Sequence, residues 1–227
     1  MVHLRIRRGQ DQWRQWLGRC VEARLLRLGI QGYAQGLECG LWLPAGTVPD
    51  KNLVVVPHSD DTTFGILHSY HHLLWVQVFG SPYGNHPTAR RYNSSRVFLT
   101  FPFPEALTPN IPAANYAADP RAQRIADAAR KLVEACDRWL NPPEWTQRVP
   151  EVVAGYPDRI LAQPGFEAQL KKRTLTNLYN ERPTWLANLH NDLDTAVAAA
   201  YGWEWPLAND EILRRLFGLN QERASSG

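Results

Sequence analysis

The feature that most constrains the fold is a long amphipathic segment that begins at Asp119-Pro120 and continues to about Leu140. Asp119 is a favoured helix N-cap, and proline is favoured at the first helical position. Apolar residues repeat along one side of the segment at helical spacing: Ile125, Ala128, Ala129, Leu132, Ala135, Cys136 and Trp139. Stretches rich in proline or glycine flank it at 102–118 and 141–165. The pattern predicts a helix that buries one face and stops at both ends.

The rest of the chain alternates between short apolar runs and helical patterns. Strands are predicted at 41–43, 53–56 and 97–99. Helices are predicted at 10–28, 61–79, 166–180, 183–201 and 209–223. The expected fold class is α+β, with a small mixed α/β unit followed by a mainly helical C-terminal unit. The expected division is a divergent segment at 1–40, one domain at 41–118 and a second at 119–227, with 102–118 as an extended linker.

Composition indicates an ordinary globular protein, since 44% of residues are hydrophobic and 21% are charged. The net charge is +3, and the first 45 residues hold seven arginines against three acidic residues, a net of +4. Cys20, Cys39 and Cys136 lack the spacing of a metal site and are interpreted as reduced thiols. No apolar run approaches the roughly 18 residues of a membrane span. We therefore expect a cytoplasmic protein that makes no membrane contact.

The polar loop at 81–96 carries the candidate binding residues: Asn85, His86, Thr88, Arg90, Arg91, Asn93 and Arg96. Arginine can bond guanine through two hydrogen bonds, asparagine can do the same with adenine, and hydroxyls can serve bases or phosphates. The loop therefore predicts contact with DNA. The alternative is an ordinary exposed loop, because loops are usually polar.

Four other motifs have both a functional and a structural interpretation. His68 and His72 are one helical turn apart with His71 between them, but the glutamate of a zinc-binding H-E-x-x-H is absent. A packed or hydrogen-bonded histidine cluster is therefore favoured over a metal site. Asn141-Pro142-Pro143 matches the first three residues of the Asn-Pro-Pro-aromatic motif that amino-methyltransferases use to hold a target amine. Here the three residues end a helix, and Glu144 stands where that motif has an aromatic residue, so a helix C-terminus is favoured. Lys171-Lys172-Arg173 could contact phosphates but is more typical of a solvated face. Asp192 and Asp194 are interpreted as surface residues.

Several long blocks of sequence, in the order given, carry a family resemblance: LPAGTVPDKNLVVV, DDTTFGILHSYHHLLW, RRYNSSRVFLTFPFPE, NIPAANYAADPRAQRIADAARKL, RVPEVVAGYPDRIL, KKRTLTNLYNERPTWLANLHNDLDTAVAAAYGW and DEILRRLFGLN. These blocks, from about Leu41 to Arg223, closely resemble the C-terminal part of large S-adenosylmethionine-dependent adenine DNA methyltransferases. That family belongs to type IIG-like restriction–modification systems.

The resemblance implies a target-recognition domain at 41–118 that binds double-stranded DNA, followed by a helical domain. Family members read bases just before an Arg-Tyr-Ser-like motif, which corresponds here to Arg91-Tyr92-Asn93, with reading positions near Pro87, Thr88, Ala89 and Arg90. The resemblance places the catalytic motif and the S-adenosylmethionine site in an upstream methyltransferase domain. We therefore expect no catalytic residue, cofactor site or metal site in this chain, which alone would be inactive.

Residues 1–40 depart from the family, and we interpret them as an out-of-frame translation that packs poorly. Two further functions stay open for the whole chain. A protein-interaction or structural fragment would use the Trp-rich C-terminal helices. A metal-dependent hydrolase would use His68, His71 and His72.

Overall fold

A computed structural model describes residues 25–29, 40–43, 53–56, 58–82, 90–152 and 158–225 of the chain. The architecture is α+β and mainly helical, as the sequence predicts. Residues 1–24 and 30–39 lie outside the described residues, so the interpretation of residues 1–40 as out-of-frame and poorly packed stays a prediction.

Three short strands form an antiparallel sheet in the order β2-β1-β3. The strands are β1 (Leu25–Gly29), β2 (Gly40–Leu43) and β3 (Leu53–Val56), so the predicted strands at 41–43 and 53–56 are confirmed. The predicted helix at 10–28 is wrong where it covers Leu25–Leu28. That segment is the central strand and pairs with a neighbour on each side, which supplies its backbone with hydrogen bonds in a way that local helix propensity cannot anticipate.

The predicted helix from Asp61 to Phe79 is present but divided at Ser69 into α1 (Asp61–His68) and α2 (Tyr70–Phe79). Ser69 has an extended backbone, with φ −72° and ψ 156°. Its hydroxyl donates a hydrogen bond to the Ile66 carbonyl at 2.7 Å and accepts one from the His72 N–H at 3.4 Å. One serine therefore ends the first helix and caps the second, which is the local competition with helix that serine is known for.

A short hairpin and two single turns follow α2. The hairpin consists of β4 (Ser81–Pro82) and β5 (Arg90–Arg91), and a π-helical turn at Ser94–Phe98 replaces the strand predicted at 97–99. That prediction is wrong because the Asn93 side chain caps the turn, accepting from the backbone N–H groups of Ser95 and Arg96 at 3.1 and 3.3 Å. A 3₁₀ turn spans Ala113–Asn115.

The proline-rich segment 102–118 packs into the core and is not an extended linker. Phe103, Leu107 and Tyr116 are buried, and the hydroxyl of Tyr201 donates to the Pro102 carbonyl at 2.9 Å. Arg223 donates to the Phe103 carbonyl at 2.6 Å. The linker prediction is therefore wrong for these residues, because their aromatic side chains find partners that a proline count cannot reveal. The division of the chain between 118 and 119 stays a prediction.

The C-terminal half is helical apart from one hairpin. The predicted helix after Asp119 is confirmed as α3 (Pro120–Leu140), with the Asp119 carboxylate accepting from the Arg121 N–H at 2.8 Å. The elements that follow are β6 (Thr146–Val149), β7 (Arg159–Ala162), α4 (Glu167–Lys171), α5 (Leu175–Glu181), α6 (Thr184–Ala200) and α7 (Asn209–Ser225). The antiparallel β6–β7 hairpin lies in the stretch that the sequence marked only as rich in proline and glycine.

The core lies where α1, α3 and α6 cross at Gly65. A Cβ atom on Gly65 would lie 2.7 Å from Ile125 Cγ2 and 3.1 Å from Leu193 Cδ1, so only glycine allows this close approach. Ile125, Leu193 and Val197 are fully buried there. Helix α2 contacts α6 and α7, so it packs against the helices of the C-terminal half. Within the described residues, no helix is both long enough and apolar enough to cross a membrane.

Candidate nucleic-acid interface

The candidate loop is the connection of the β4–β5 hairpin, which starts directly at the end of α2. Ser81 pairs with Arg91 and Pro82 pairs with Arg90, so the two ends of the loop are joined by antiparallel pairing. Asn85, His86 and Thr88 fall in the connection 83–89, outside the described residues. Arg90, Arg91, Asn93 and Arg96 lie on β5 and the turn that follows, where the structure brings them together in sequence order.

Gly80 lets the hairpin approach the helix end closely. Its N–H donates to the Val76 carbonyl at 2.7 Å, as the last turn of α2 requires. A Cβ atom on Gly80 would lie 2.6 Å from that carbonyl oxygen and 2.9 Å from Arg90 Cβ. The backbone angles of Gly80 are ordinary, with φ −66°. Glycine is therefore needed here for space, and the space it leaves seats β5 against the end of α2.

Two hydrogen bonds fix the base of the hairpin to α2. Arg90 Nε donates to the Gln77 carbonyl at 3.1 Å. Tyr92, which is buried, has its hydroxyl 3.1 Å from His72 Nε2. The other ring nitrogen of His72 lies 2.8 Å from the Leu67 carbonyl. A carbonyl can only accept, so Nδ1 carries the proton and Nε2 accepts from the Tyr92 hydroxyl.

The charge state of His72 agrees with this arrangement. Burial lowers the pKa of His72 to about 3, so the ring is neutral at physiological pH. A neutral imidazole with one donor and one acceptor matches one carbonyl and one hydroxyl, and both nitrogens are satisfied. The histidine that the sequence offered as a metal ligand is therefore a buried support for the strand that carries Arg90 and Arg91.

The four described candidate residues differ in what they expose. Arg90 is half-buried and directed toward α2, whereas Arg91 and Arg96 are exposed. Alternation along a strand accounts for the contrast between the two neighbours. The Oδ1 atom of Asn93 accepts from the Ser95 hydroxyl at 2.7 Å as well as capping the turn. Its amide nitrogen is then the part of Asn93 that could reach a ligand.

The other two histidines of the cluster, His68 and His71, are packed in a way that favours a structural role over a metal site. His68 Nδ1 lies 2.9 Å from the Phe64 carbonyl. His71 is enclosed by the rings of Tyr201, Trp203 and Trp205, at centroid distances of 5.9, 6.0 and 5.1 Å. Burial lowers the pKa of His71 to about 4. Among the described residues, no group of three or more His, Cys, Asp or Glu side chains is placed to hold a metal ion.

Two other motifs are structural in this fold. Asn141 ends α3, with its Nδ2 donating to Asp137 Oδ1 at 2.7 Å, and the Pro142 carbonyl accepts from the Thr146 hydroxyl at 2.8 Å. This is a helix terminus and not the end of a buried strand. Asp192 is exposed as predicted, but the prediction for Asp194 is wrong because Asp194 is only 7% exposed.

Asp194 reaches across from α6 to cap α2. Its Oδ1 accepts a hydrogen bond from the Tyr70 N–H at 2.6 Å, which satisfies one of the unpaired donors at the start of that helix. Burial raises the pKa of Asp194 to about 7, against the effect of this hydrogen bond. Sequence reasoning missed Tyr92 and Gly80 as supports of the hairpin and Asp194 as the cap of α2. The signal for Tyr92 was its place between Arg91 and Asn93, but its partner His72 is 20 residues away.

Comparison with known proteins gives one clear likeness. No family model and no curated protein matches the sequence. The fold is similar to part of the type IIL restriction–modification enzyme MmeI, whose structure was solved in complex with DNA. The two share 19% sequence identity with a TM-score of 0.61, and the match covers 90% of this chain and 22% of that enzyme. At this identity the likeness is one of fold, and this chain corresponds to about a fifth of the length of that protein.

Proposed function

We propose that this chain recognises double-stranded DNA as the target-recognition part of a restriction–modification enzyme of the adenine-methylating type. The observation that carries the proposal is the β4–β5 hairpin, whose base is tied to α2 by the Tyr92–His72 and Arg90–Gln77 hydrogen bonds. The likeness of the fold to part of a restriction–modification enzyme solved with DNA supports the same role. The sequence blocks that resemble adenine methyltransferases cover both halves of the chain.

The hairpin suits this role because its base is fixed before any ligand binds. A connection whose two ends are already paired loses less conformational entropy on binding than one whose ends are free. Exposed Arg91 and Arg96 would supply charge-assisted contacts to phosphates or to guanine edges. Asn85, His86 and Thr88 carry side chains that would supply directional hydrogen bonds. Phosphate contacts would set the register of the duplex, and base contacts would set the sequence that is read.

Catalysis and cofactor binding are proposed to belong to another domain. The Asn141-Pro142-Pro143 segment ends a helix, so it does not present an amide to a flipped adenine. S-adenosylmethionine sites of this kind use a glycine-rich turn after a strand. Here His58, Ser59 and Asp60 follow β3, and the Asp60 carboxylate accepts from the Thr63 N–H at 2.7 Å to cap α1. These residues do not fit the cofactor, and we derive no step through it.

The test is a comparison of two double variants in duplex binding. Arg91→Gln with Arg96→Gln removes one exposed cation from the hairpin and one from the turn that follows it, and leaves the Arg90–Gln77 hydrogen bond intact. Arg124→Gln with Lys131→Gln removes two exposed cations from α3 and serves as the matched control. Affinity for a mixed-sequence duplex is measured between about 50 and 200 mM salt. We expect the hairpin variant to bind at least about tenfold more weakly, and the control to bind as the unaltered chain does.

The salt dependence separates this function from the protein-interaction alternative. If Arg91 and Arg96 each contact one phosphate, the slope of log K against log salt should fall in magnitude by about 1.8 in the hairpin variant. Equal binding by the hairpin variant and the control would remove the hairpin from the interface. If the chain instead associates with a partner and salt does not weaken the association, a protein partner is favoured. The exposed apolar side chains of Val152 and Leu161 would suit such a partner.

A further inference from the structure

A second region of the surface is built to expose charge, and it lies far along the sequence from the β4–β5 hairpin. We call it the arm and define it as residues 143–177, of which 143–152 and 158–177 are described. Pro142 before it and Leu178 after it are buried. Between them, none of the described residues is buried, and Val152 is 89% exposed. The arm therefore has no core of its own.

A stack of aromatic rings and one arginine takes the place of a core. The guanidinium of Arg173 lies between two indole rings, with Cζ 4.3 Å from the Trp139 centroid and 4.8 Å from the Trp145 centroid. Trp145 in turn stacks on Phe166 at 5.8 Å. Trp139 belongs to the last turn of α3, so the stack pins the arm to the helical body, which we define as α1, α3 and α6. Cation–π contacts of this kind hold an arginine in one orientation.

The turn that carries Arg173 is also fixed through its backbone. The Lys172 and Arg173 N–H groups donate to the carbonyls of Gln169 and Leu170, at 3.1 and 2.9 Å. The Lys172 carbonyl accepts from the Thr174 N–H at 3.1 Å and from Asn177 Nδ2 at 2.7 Å. Two lysines thus project from a turn whose conformation is set on both sides.

The charges on this turn are not balanced by the surrounding structure. Lys171 and Lys172 are exposed, and neither forms an ion pair with any residue that the structure describes. Elsewhere on the arm an ion pair does form, between Arg159 and Glu151 at 3.3 Å. Three adjacent cations repel one another, and a mobile turn could separate them. A turn held rigid by a ring stack and four hydrogen bonds keeps the cations together. The resulting concentration of positive charge attracts an anionic partner.

We propose that the turn Lys171–Arg173 is a second DNA contact, which binds the phosphate backbone of the duplex that the β4–β5 hairpin reads. This inference rests on the proposed function. Lysine ammonium groups act as point charges toward phosphate oxygens and carry no base preference. The contact would raise affinity equally for all sequences and leave the choice of sequence to the hairpin. Arg173 holds the turn in place through the two indole rings.

The experiment is a third double variant, Lys171→Gln with Lys172→Gln, made in the full chain. Both side chains are exposed, so the fold should survive, and circular dichroism checks this. Binding to the same mixed-sequence duplex is measured beside the Arg124→Gln, Lys131→Gln control, which removes the same charge from α3. We expect the slope of log K against log salt to fall in magnitude by about 1.8, with the same loss on duplexes of unrelated sequence.

The outcomes distinguish this inference from the function on which it rests. If the arm variant binds as the control does while the Arg91, Arg96 variant loses affinity, the arm contact is overturned and the hairpin role stands. If the affinity lost by the arm variant depends on the DNA sequence, the turn reads bases, and its assignment as a contact to the phosphate backbone is wrong. If the unaltered chain fails to bind duplex DNA at any salt concentration, both proposals are overturned.

Discussion

The helical body and the arm of this protein are held together in opposite ways. In the body, Gly65 brings α1 against Ile125 and Leu193, and these apolar side chains are fully buried. In the arm, no described residue is buried, and a stack of Trp139, Arg173, Trp145 and Phe166 maintains the shape. This chain therefore obtains its stability from the body and uses its periphery to present side chains. The β4–β5 hairpin combines both properties, because Tyr92 at its base is buried whereas Arg91 is exposed.

Shortening one leucine in each region should affect stability very differently in the body and in the arm. Leu193→Ala removes a fully buried side chain at the crossing of three helices and should lower the free energy of unfolding by about 2–5 kcal/mol. Leu161→Ala makes the same chemical change on β7, where the side chain is 41% exposed, and should cost about 0.5 kcal/mol or less. Urea unfolding of both variants measures the difference. Similar losses would show that the arm is part of the core.

The pH dependence of stability tests whether the carboxyl group of Asp194 is buried in the body. Burial raises its pKa to about 7 from an ordinary value of 3.8, so between about pH 4 and pH 7 the folded chain retains a proton that the unfolded chain has lost. Asp194 therefore contributes stability that is complete below about pH 4 and is lost as the pH rises through about 7. Asp194→Asn keeps an oxygen that can accept from the Tyr70 N–H but cannot ionise. Its stability relative to the unaltered chain should rise with pH, by at most about 1.4 kcal/mol per unit.

The measurement is urea unfolding at several pH values between about 4 and 8, with Asp192→Asn as the exposed control on the same helix. Burial also lowers the pKa values of His71, His72 and His190 to about 4, 3 and 4. The free energy of unfolding of the chain therefore falls at low pH, where these histidines become protonated first in the unfolded chain. They are common to all three proteins and cancel in the differences. A parallel shift of the Asp194 and Asp192 variants would contradict a buried, protonated Asp194.

A more modest change is expected from the Tyr92–His72 hydrogen bond beneath the hairpin. Tyr92→Phe removes the hydroxyl that donates to His72 and leaves a buried ring nitrogen without a partner, at a cost of about 1–3 kcal/mol. Tyr70→Phe removes a hydroxyl that bonds Asn209 at an exposed position, at 3.1 Å, and should cost about 0.5 kcal/mol or less. Urea unfolding gives the two values, and faster amide exchange at Arg90 and Arg91 should accompany only the first. Equal exchange in both variants would mean that Tyr92 does not support the hairpin.

The elements that sequence predicts best are those whose signals are local. Helix α3 carries its cap, its first-turn proline and its apolar face within one continuous segment, and it begins and ends where expected. The predicted helices at 183–201 and 209–223 and strands β2 and β3 follow the same rule, whereas the predicted helix at 166–180 is divided into α4 and α5 by the turn at 172–174. The packed histidine cluster could also be favoured in advance, because the zinc motif lacked its glutamate.

The elements that sequence misses depend on partners that are distant or unusually placed. Strand β1 forms because it pairs with strands that follow it by more than ten residues. The turn at Ser94–Phe98 forms because the Asn93 side chain bonds two backbone N–H groups, which overrides the β propensity of Val97 and Phe98. Asp194 is buried because Tyr70, 124 residues earlier, needs a cap. The polar chemistry of the hairpin loop was visible in the sequence, whereas the ties that hold its base were not.

Hydrogen–deuterium exchange of the intact chain, with and without duplex DNA, tests directly whether the β4–β5 hairpin binds DNA. We expect slower exchange at Arg90–Phe98 and in the loop before it when DNA is added at low salt. We expect a smaller slowing at Lys171–Arg173 than at the hairpin, and no change along α3 at Arg124 and Lys131. Protection that is absent from the β4–β5 hairpin, while DNA is bound elsewhere on the molecule, would contradict the proposed recognition function.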